Sequence, residues 1–167
     1  SAPRAFTVAA TGDILVESPV KAAAASHAAP GARYEFGPLF APIAPILGSV
    51  DLAICHMEFP IGKPGQKAGP YGHGPRQGYR WLAPYEVAAG VRAAGYTRCT
   101  TSSNHSNDLG LDGIDSTLQA LDDAGVSHVG TARSPEEAAV STFEVKGVRV
   151  AHLAYTRANN TDRPLAW

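Results

Sequence analysis

Apolar positions along the chain fall into short runs that alternate with stretches of helical period. Residues 6–10 form the first run, which stops at Thr11-Gly12-Asp13. Residues 51–55 form a second, nearly continuous run of the kind buried on both faces of a sheet. It delivers His56 and Glu58 to one side of the exiting chain and Met57 to the other. Residues 96–100 make a third run, feeding the polar cluster from Ser102 to Asp108, and residues 126–129 a short fourth. Between the runs, Leu39, Phe40, Ile43, Ile46 and Leu47 recur at helical spacing behind Gly37-Pro38, and Pro45 is expected to bend that helix. Ala83-Pro84 opens a second helix that runs to Ala94, with Gly95 where a left-handed cap belongs. Leu111, Ile114, Leu118 and Leu121 mark a third that ends at Gly125, with Asn107 or Asp108 as its expected N-cap. Ser134-Pro135-Glu136-Glu137 reads as a short helix start, and residues 142–145 and 148–155 as a hairpin around Lys146-Gly147. This alternation predicts an α/β fold: a mostly parallel sheet with helices on both faces, in one domain over residues 1–167.

Two stretches escape the pattern. Residues 14–36 read as a polar, Ala-rich connection. Residues 62–79 are rich in Gly and Pro and carry Lys63, Lys67, Tyr71, His73 and Arg76. So long a connection reads either as a surface loop or as a basic flap over a site for an anionic substrate. With 14 Lys and Arg against 15 Asp and Glu, no global field recruits nucleic acid or an acidic membrane. No apolar run reaches the roughly 18 residues of a membrane span, and Ser1-Ala2-Pro3-Arg4 lacks the apolar stretch of a secretory signal. Cys55 and Cys99 end neighbouring predicted strands. Their apolar flanks favour buried free thiols, with a disulfide as the alternative.

Chemistry enters where the runs stop. In a parallel sheet the carboxyl ends of the strands share one edge, so Asp13, Glu58, Asn104 and His105 are expected to converge there. Carboxylates and a carboxamide can hold a divalent ion, and an imidazole beside them can move a proton. Each residue also has an ordinary reading: Gly12-Asp13 as a strand-end turn, Glu58 paired with Arg80 or Lys63, and Ser102 to Asn104 as a polar turn. His152 reads as a hydrogen-bonded strand residue, and His27 and His128 as surface loop residues. Arg157, Asn159 and Asn160 read equally as substrate contacts or a solvated tail.

The series Thr11-Gly12-Asp13, Asp51-Leu52-Ala53-Ile54 and His56-Met57-Glu58-Phe59-Pro60 resembles the CapA-type poly-gamma-glutamate capsule biosynthesis family. So do Ala94-Gly95-Tyr96, the run from Ser103 to Gly110, Asp123-Ala124-Gly125-Val126 and Lys146-Gly147-Val148-Arg149-Val150, in order over nearly the whole chain. That family looks like a branch of the calcineurin-like metallophosphoesterases, whose metal ligands sit at strand ends in an α/β sandwich. The resemblance implies Asp13, Glu58 and Asn104 as ligands of one or more divalent ions (Mn, Zn, Fe or Mg) and His105 as the catalytic group facing the substrate. His56, Lys63, Arg76, Arg80 and Asp108 are the expected substrate contacts. His56 stands where the family often has Asn, and Ser103 where it often has a second Asn. The implied substrate is anionic poly-gamma-glutamate, or a phosphoester or amide, at the cell envelope or outside the cell. Family members continue into a second half with further histidines. This chain is therefore expected to be half of a sandwich, completed by a C-terminal half, a complementary chain or an oligomeric partner, or else a member that has lost full coordination. Two functions follow: a metal-dependent hydrolase, or a non-catalytic binding, export or assembly component in which Lys63, Lys67, Arg76 and Arg80 grip an anionic polymer. A nucleotide-binding domain is disfavoured, since no Gly-rich phosphate fingerprint follows the first run.

Overall fold

A computed structural model describes residues 4–74 and 78–161. Four strands, β1 (Val8–Ile14), β2 (Leu52–Met57), β5 (Arg98–Thr100) and β6 (Ser127–Val129), form one sheet in the order β1-β2-β5-β6, with every pairing parallel. The intervening chain supplies α1 (Ser18–His27), α2 (Gly37–Phe40), α3 (Ala44–Leu47), α4 (Val87–Ala93) and α5 (Leu111–Asp123). A short α6 (Pro135–Ala138) follows β6. Two antiparallel pairs stand apart from the sheet: β3 (Gly69–His73) with β4 (Tyr79–Leu82), and β7 (Thr142–Val145) with β8 (Val148–Ala151). The α/β class and the parallel sheet flanked by helices are as the apolar pattern predicts. Among the described residues, no helix is long and apolar enough to cross a membrane.

Packing follows from the same spacing. Ile114, Leu118 and Leu121 turn one face of α5 inward, while Asp112 and Asp115 face water. Cys55, Met57, Val87, Val91, Tyr96, Cys99, Leu121 and Val126 join one buried cluster between sheet and helices. Gly95 closes α4 at φ 105°, the left-handed backbone that a cap at this position needs. Gly90 lets α4 approach Phe36 so closely that a methyl group there would collide with the Phe36 Cβ.

Several expectations are corrected. Residues 18–27 are helical, although the Ala-rich stretch carries no apolar stripe. The helix behind Gly37 breaks into two four-residue turns around Pro42 and Pro45. Within residues 62–79, which read as an irregular connection, Gly69–His73 and Tyr79 belong to the β3–β4 pair, beside which Ile61 and Ala83 form a bridge. Neither Asn107 nor Asp108 caps α5, whose N-cap is Gly110 with no side-chain hydrogen bond. Cys55 and Cys99 are bonded in a disulfide rather than free. Neighbouring strands register them directly opposite one another with their Cα atoms 4.4 Å apart, a long-range relation that apolar flanks do not reveal.

Candidate metal centre

Three parallel strands place the centre. The β1–β2 register sets Asp13 opposite His56, and the β2–β5 register sets His56 opposite Thr100. A bulge between Ala10 and Asp13 re-aims the end of β1, and Glu58 lies one residue past the end of β2. His56 Nε2 therefore stands 3.7 Å from Asp13 Oδ1 and 3.1 Å from Glu58 Oε2. One donor atom from each of the three residues lies within 4.8 Å of the others, with Asp13 exposed and Glu58 buried.

The donor set fits a divalent cation. Bonds of roughly 2.0–2.2 Å put neighbouring ligand atoms of a four- to six-coordinate ion roughly 3–3.5 Å apart, close to the spacings seen here. Without an ion, the buried Glu58 carboxylate accepts from His56. That hydrogen bond, helped by the Glu58 and Asp13 charges and opposed by burial, raises the pKa of His56 above its ordinary 6.5. On the other ring nitrogen, Nδ1 shares a hydrogen bond with the Thr100 hydroxyl that fixes the ring plane.

His105 is held beside this group by a separate network. Ser103 Oγ donates to the Glu58 carbonyl at 2.6 Å and accepts from the His105 backbone N–H at 2.8 Å, tying the third strand end to the second. Asp108, its side chain fully buried, accepts from His105 Nδ1 at 2.7 Å and from the Trp81 backbone N–H at 2.8 Å. A carboxylate only accepts, so Nδ1 carries a proton and Nε2 becomes the working atom. It faces Glu58 Oε1 at 3.9 Å. Phe59 packs edge-on against the imidazole at 4.7 Å between ring centroids. A cleft of about 610 Å³, lined by Phe59, Tyr79, Trp81, Asn104, His105 and Asn160 among others, opens in front of the ring.

The profile of the family described as bacterial capsule synthesis protein PGA_cap matches residues 7–167. The chain belongs to that family. Two Sinorhizobium fredii (strain NBRC 101917 / NGR234) proteins, y4uA and y4sH, both described as uncharacterized, are each 29% identical over 157 residues. The match covers 89% of this chain and 30% of each of those relatives.

In this family member the expected site residues separate into three groups. Asp13 and Glu58 come together with His56, a residue expected to contact substrate and found instead among the candidate ligands. Asn104 is exposed, its Nδ2 donating to Asn160 Oδ1 at 3.3 Å, and it shares the cleft with His105. Lys63, Arg80 and Asp108 line a different cleft, and Arg76 lies outside the described residues. Glu58 is paired with His56 and His105, not with Arg80 or Lys63. Thr100 was missed, whereas Asn160, which reads equally as a substrate contact or part of a solvated tail, lines the cleft. Thr100 is visible only once the register beside His56 is known, and Asn160 reaches back 55 residues to pack its carboxamide against His105. Of the remaining histidines, His152 accepts from Arg98 Nε, and burial together with the Arg98 charge lowers its pKa. His128 is not a loop residue: it lies in β6 and pairs with Asp122.

Proposed function

We propose that this chain is the metal-holding part of a hydrolase that acts on the capsule polymer at the cell envelope. The observation that carries the reading is the meeting of Asp13, His56 and Glu58 within 4.8 Å, beside a histidine already oriented by a buried carboxylate. The three side chains would hold a divalent ion. Two carboxylates and an imidazole suit manganese, iron or zinc, and offer magnesium one ligand it does not favour. Such an ion would supply Lewis acidity and a nucleophile at neutral pH.

The protein's own residues do the rest. Thr100 holds the His56 ring so that Nε2 points at the carboxylates. Asp108 keeps a proton on His105 Nδ1, leaving Nε2 to deliver its proton into the cleft as the scissile bond breaks. Phe59 packs edge-on against that imidazole and is itself backed by the Trp81 ring. Asn104 offers its carboxamide oxygen to the ion or to the substrate. Substrates in keeping with the family are an amide bond of poly-gamma-glutamate or a phosphoester. Three protein ligands leave coordination positions that a C-terminal segment or complementary chain would fill.

The test is turnover of γ-linked glutamate oligomers and of bis(p-nitrophenyl) phosphate by the full-length protein with added manganese, zinc or iron. Metal-dependent hydrolysis of one of them is expected, and His105→Ala should lower kcat about 100-fold or more while leaving bound metal unchanged. Hydrolysis unaffected by His105→Ala and by chelation would refute the reading.

A further inference from the structure

Next to the metal group, where β1 ends and α1 begins, lies a hollow of about 450 Å³ walled by Leu15, Pro19, Val20, Ala23, Leu39 and Phe40. Each of these six residues keeps some exposure, with Leu15 at 40% and Val20 at 39%, and the buried Val16 and Phe36 complete the lining. Three separate segments supply the wall. Burial alternates along Ile14, Leu15 and Val16, so Leu15 turns outward just past the end of β1. Val20 and Ala23 lie three apart on α1 and share a face, and Leu39 and Phe40 close α2. A lone exposed apolar residue is ordinary on a protein surface. Six that meet in one concavity of ligand size form a site.

The lining has one charged residue, Asp13, which also belongs to the group of Asp13, His56 and Glu58. Among the described residues, no lysine or arginine lines the hollow. That composition selects the occupant. A carboxylate-bearing polymer would meet Asp13 with no cation to offset it, and would lose hydration against apolar walls. A stable protein interface takes roughly 800 Å² from each partner, more than one hollow of this size presents. A volume of about 450 Å³ falls instead within the range of small-molecule sites, roughly 300–1,000 Å³. Apolar walls with a single polar residue at the metal group suit a molecule that has an apolar body and one polar end.

We propose that this hollow binds the linear apolar chain of an acidic amphiphile whose head group reaches the ion held by Asp13, His56 and Glu58. Leu15 and Val20 then select the substrate by its chain. The placement of the head group rests on the hydrolase reading, whereas the binding of the chain does not.

The test is calorimetry on the full-length protein with two ligand series, n-alkyl phosphates from ethyl to decyl in manganese and n-alkanols from ethanol to octanol in chelator. Affinity should rise about fourfold per methylene in both series until the hollow is full. Val20 sits in the first turn of α1, where a carboxylate suits the helix, so Val20→Asp should fold and should flatten both rises to under about twofold per methylene. Leu15→Ser, which adds no charge, is the second variant and should weaken octanol binding about fourfold or more. Bound manganese is measured alongside. An alkanol rise in protein that retains no manganese would sink the hydrolase reading and uphold the chain site. Flat affinity across both series in protein that holds manganese, or a rise untouched by both variants, would overturn the proposal. So would a dimer in sedimentation that Val20→Asp dissociates and octanol does not, which would make a second copy the occupant.

Discussion

Removing the disulfide should cost this protein much of its stability, and should do so in a non-additive way. Cys55 and Cys99 are 1% and 0% exposed, and they join adjacent strands across a sequence separation of 44. On the chain-entropy account, closing such a loop contributes about 4 kcal/mol, and opening it lowers Tm by about 8–16 °C for a chain of this size. A first Cys→Ala substitution removes the whole crosslink and a few contacts of one sulfur, whereas the second removes only contacts of the other. The singles and the double mutant should therefore lie close together. The coupling in the double-mutant cycle should approach about 4 kcal/mol rather than zero. Urea melts of Cys55→Ala, Cys99→Ala and the pair, with and without reductant, measure it. Reductant should act on the wild type under denaturing conditions and leave the double mutant unchanged. Additive single effects, or a double mutant within about 1 kcal/mol of wild type, would refute the crosslink. The bond also lies one residue before His56 and Thr100, so the variants should hold divalent metal more weakly.

Three more outcomes are expected. The raised pKa of His56 means that its proton stabilises the metal-free fold fully below 6.5, and that this contribution fades as pH rises through the folded-state value. A metal must displace that proton, so melts and metal titrations across pH should show metal affinity falling, and apo stability gaining, as acid is added through that window. Thr100→Val removes the hydroxyl that orients His56 and should weaken metal binding about 10- to 100-fold, read by competition with a chelating dye. Gly90→Ala forces a methyl group onto Phe36 between α4 and its neighbour, and should cost about 1–3 kcal/mol in a denaturant melt.

The strand ends were legible because three apolar runs stop at polar clusters, and a parallel sheet gathers such ends on one edge. That reasoning brought Asp13 and Glu58 to one place, but it could not say that the strand register sets His56 between Asp13 and Thr100. Helix α1 was hidden by residues 22–25, four alanines in a row with only Ala24 buried, which give periodicity nothing to register. In the β3–β4 pair, Gly69, Pro70 and Gly72 erase the alternation that marks a strand, and only Gly69 of β3 is buried. Asp108 looked like a helix cap because capping is the local use of an aspartate before an apolar helix. Its partners, Trp81 N–H and the His105 ring, come from packing that no short window contains. The β2–β5 register likewise decided the fate of the cysteines, whatever their flanking residues suggested.

The central claim is that Asp13, His56 and Glu58 form one divalent-cation site, and metal content measures it most directly. The full-length protein, dialysed against manganese or zinc and analysed by mass spectrometry, should retain a stoichiometric ion. Asp13→Ala, His56→Ala and Glu58→Ala should each lose it while melting as folded proteins. Equal metal in all four proteins, or none in the wild type, would contradict the account.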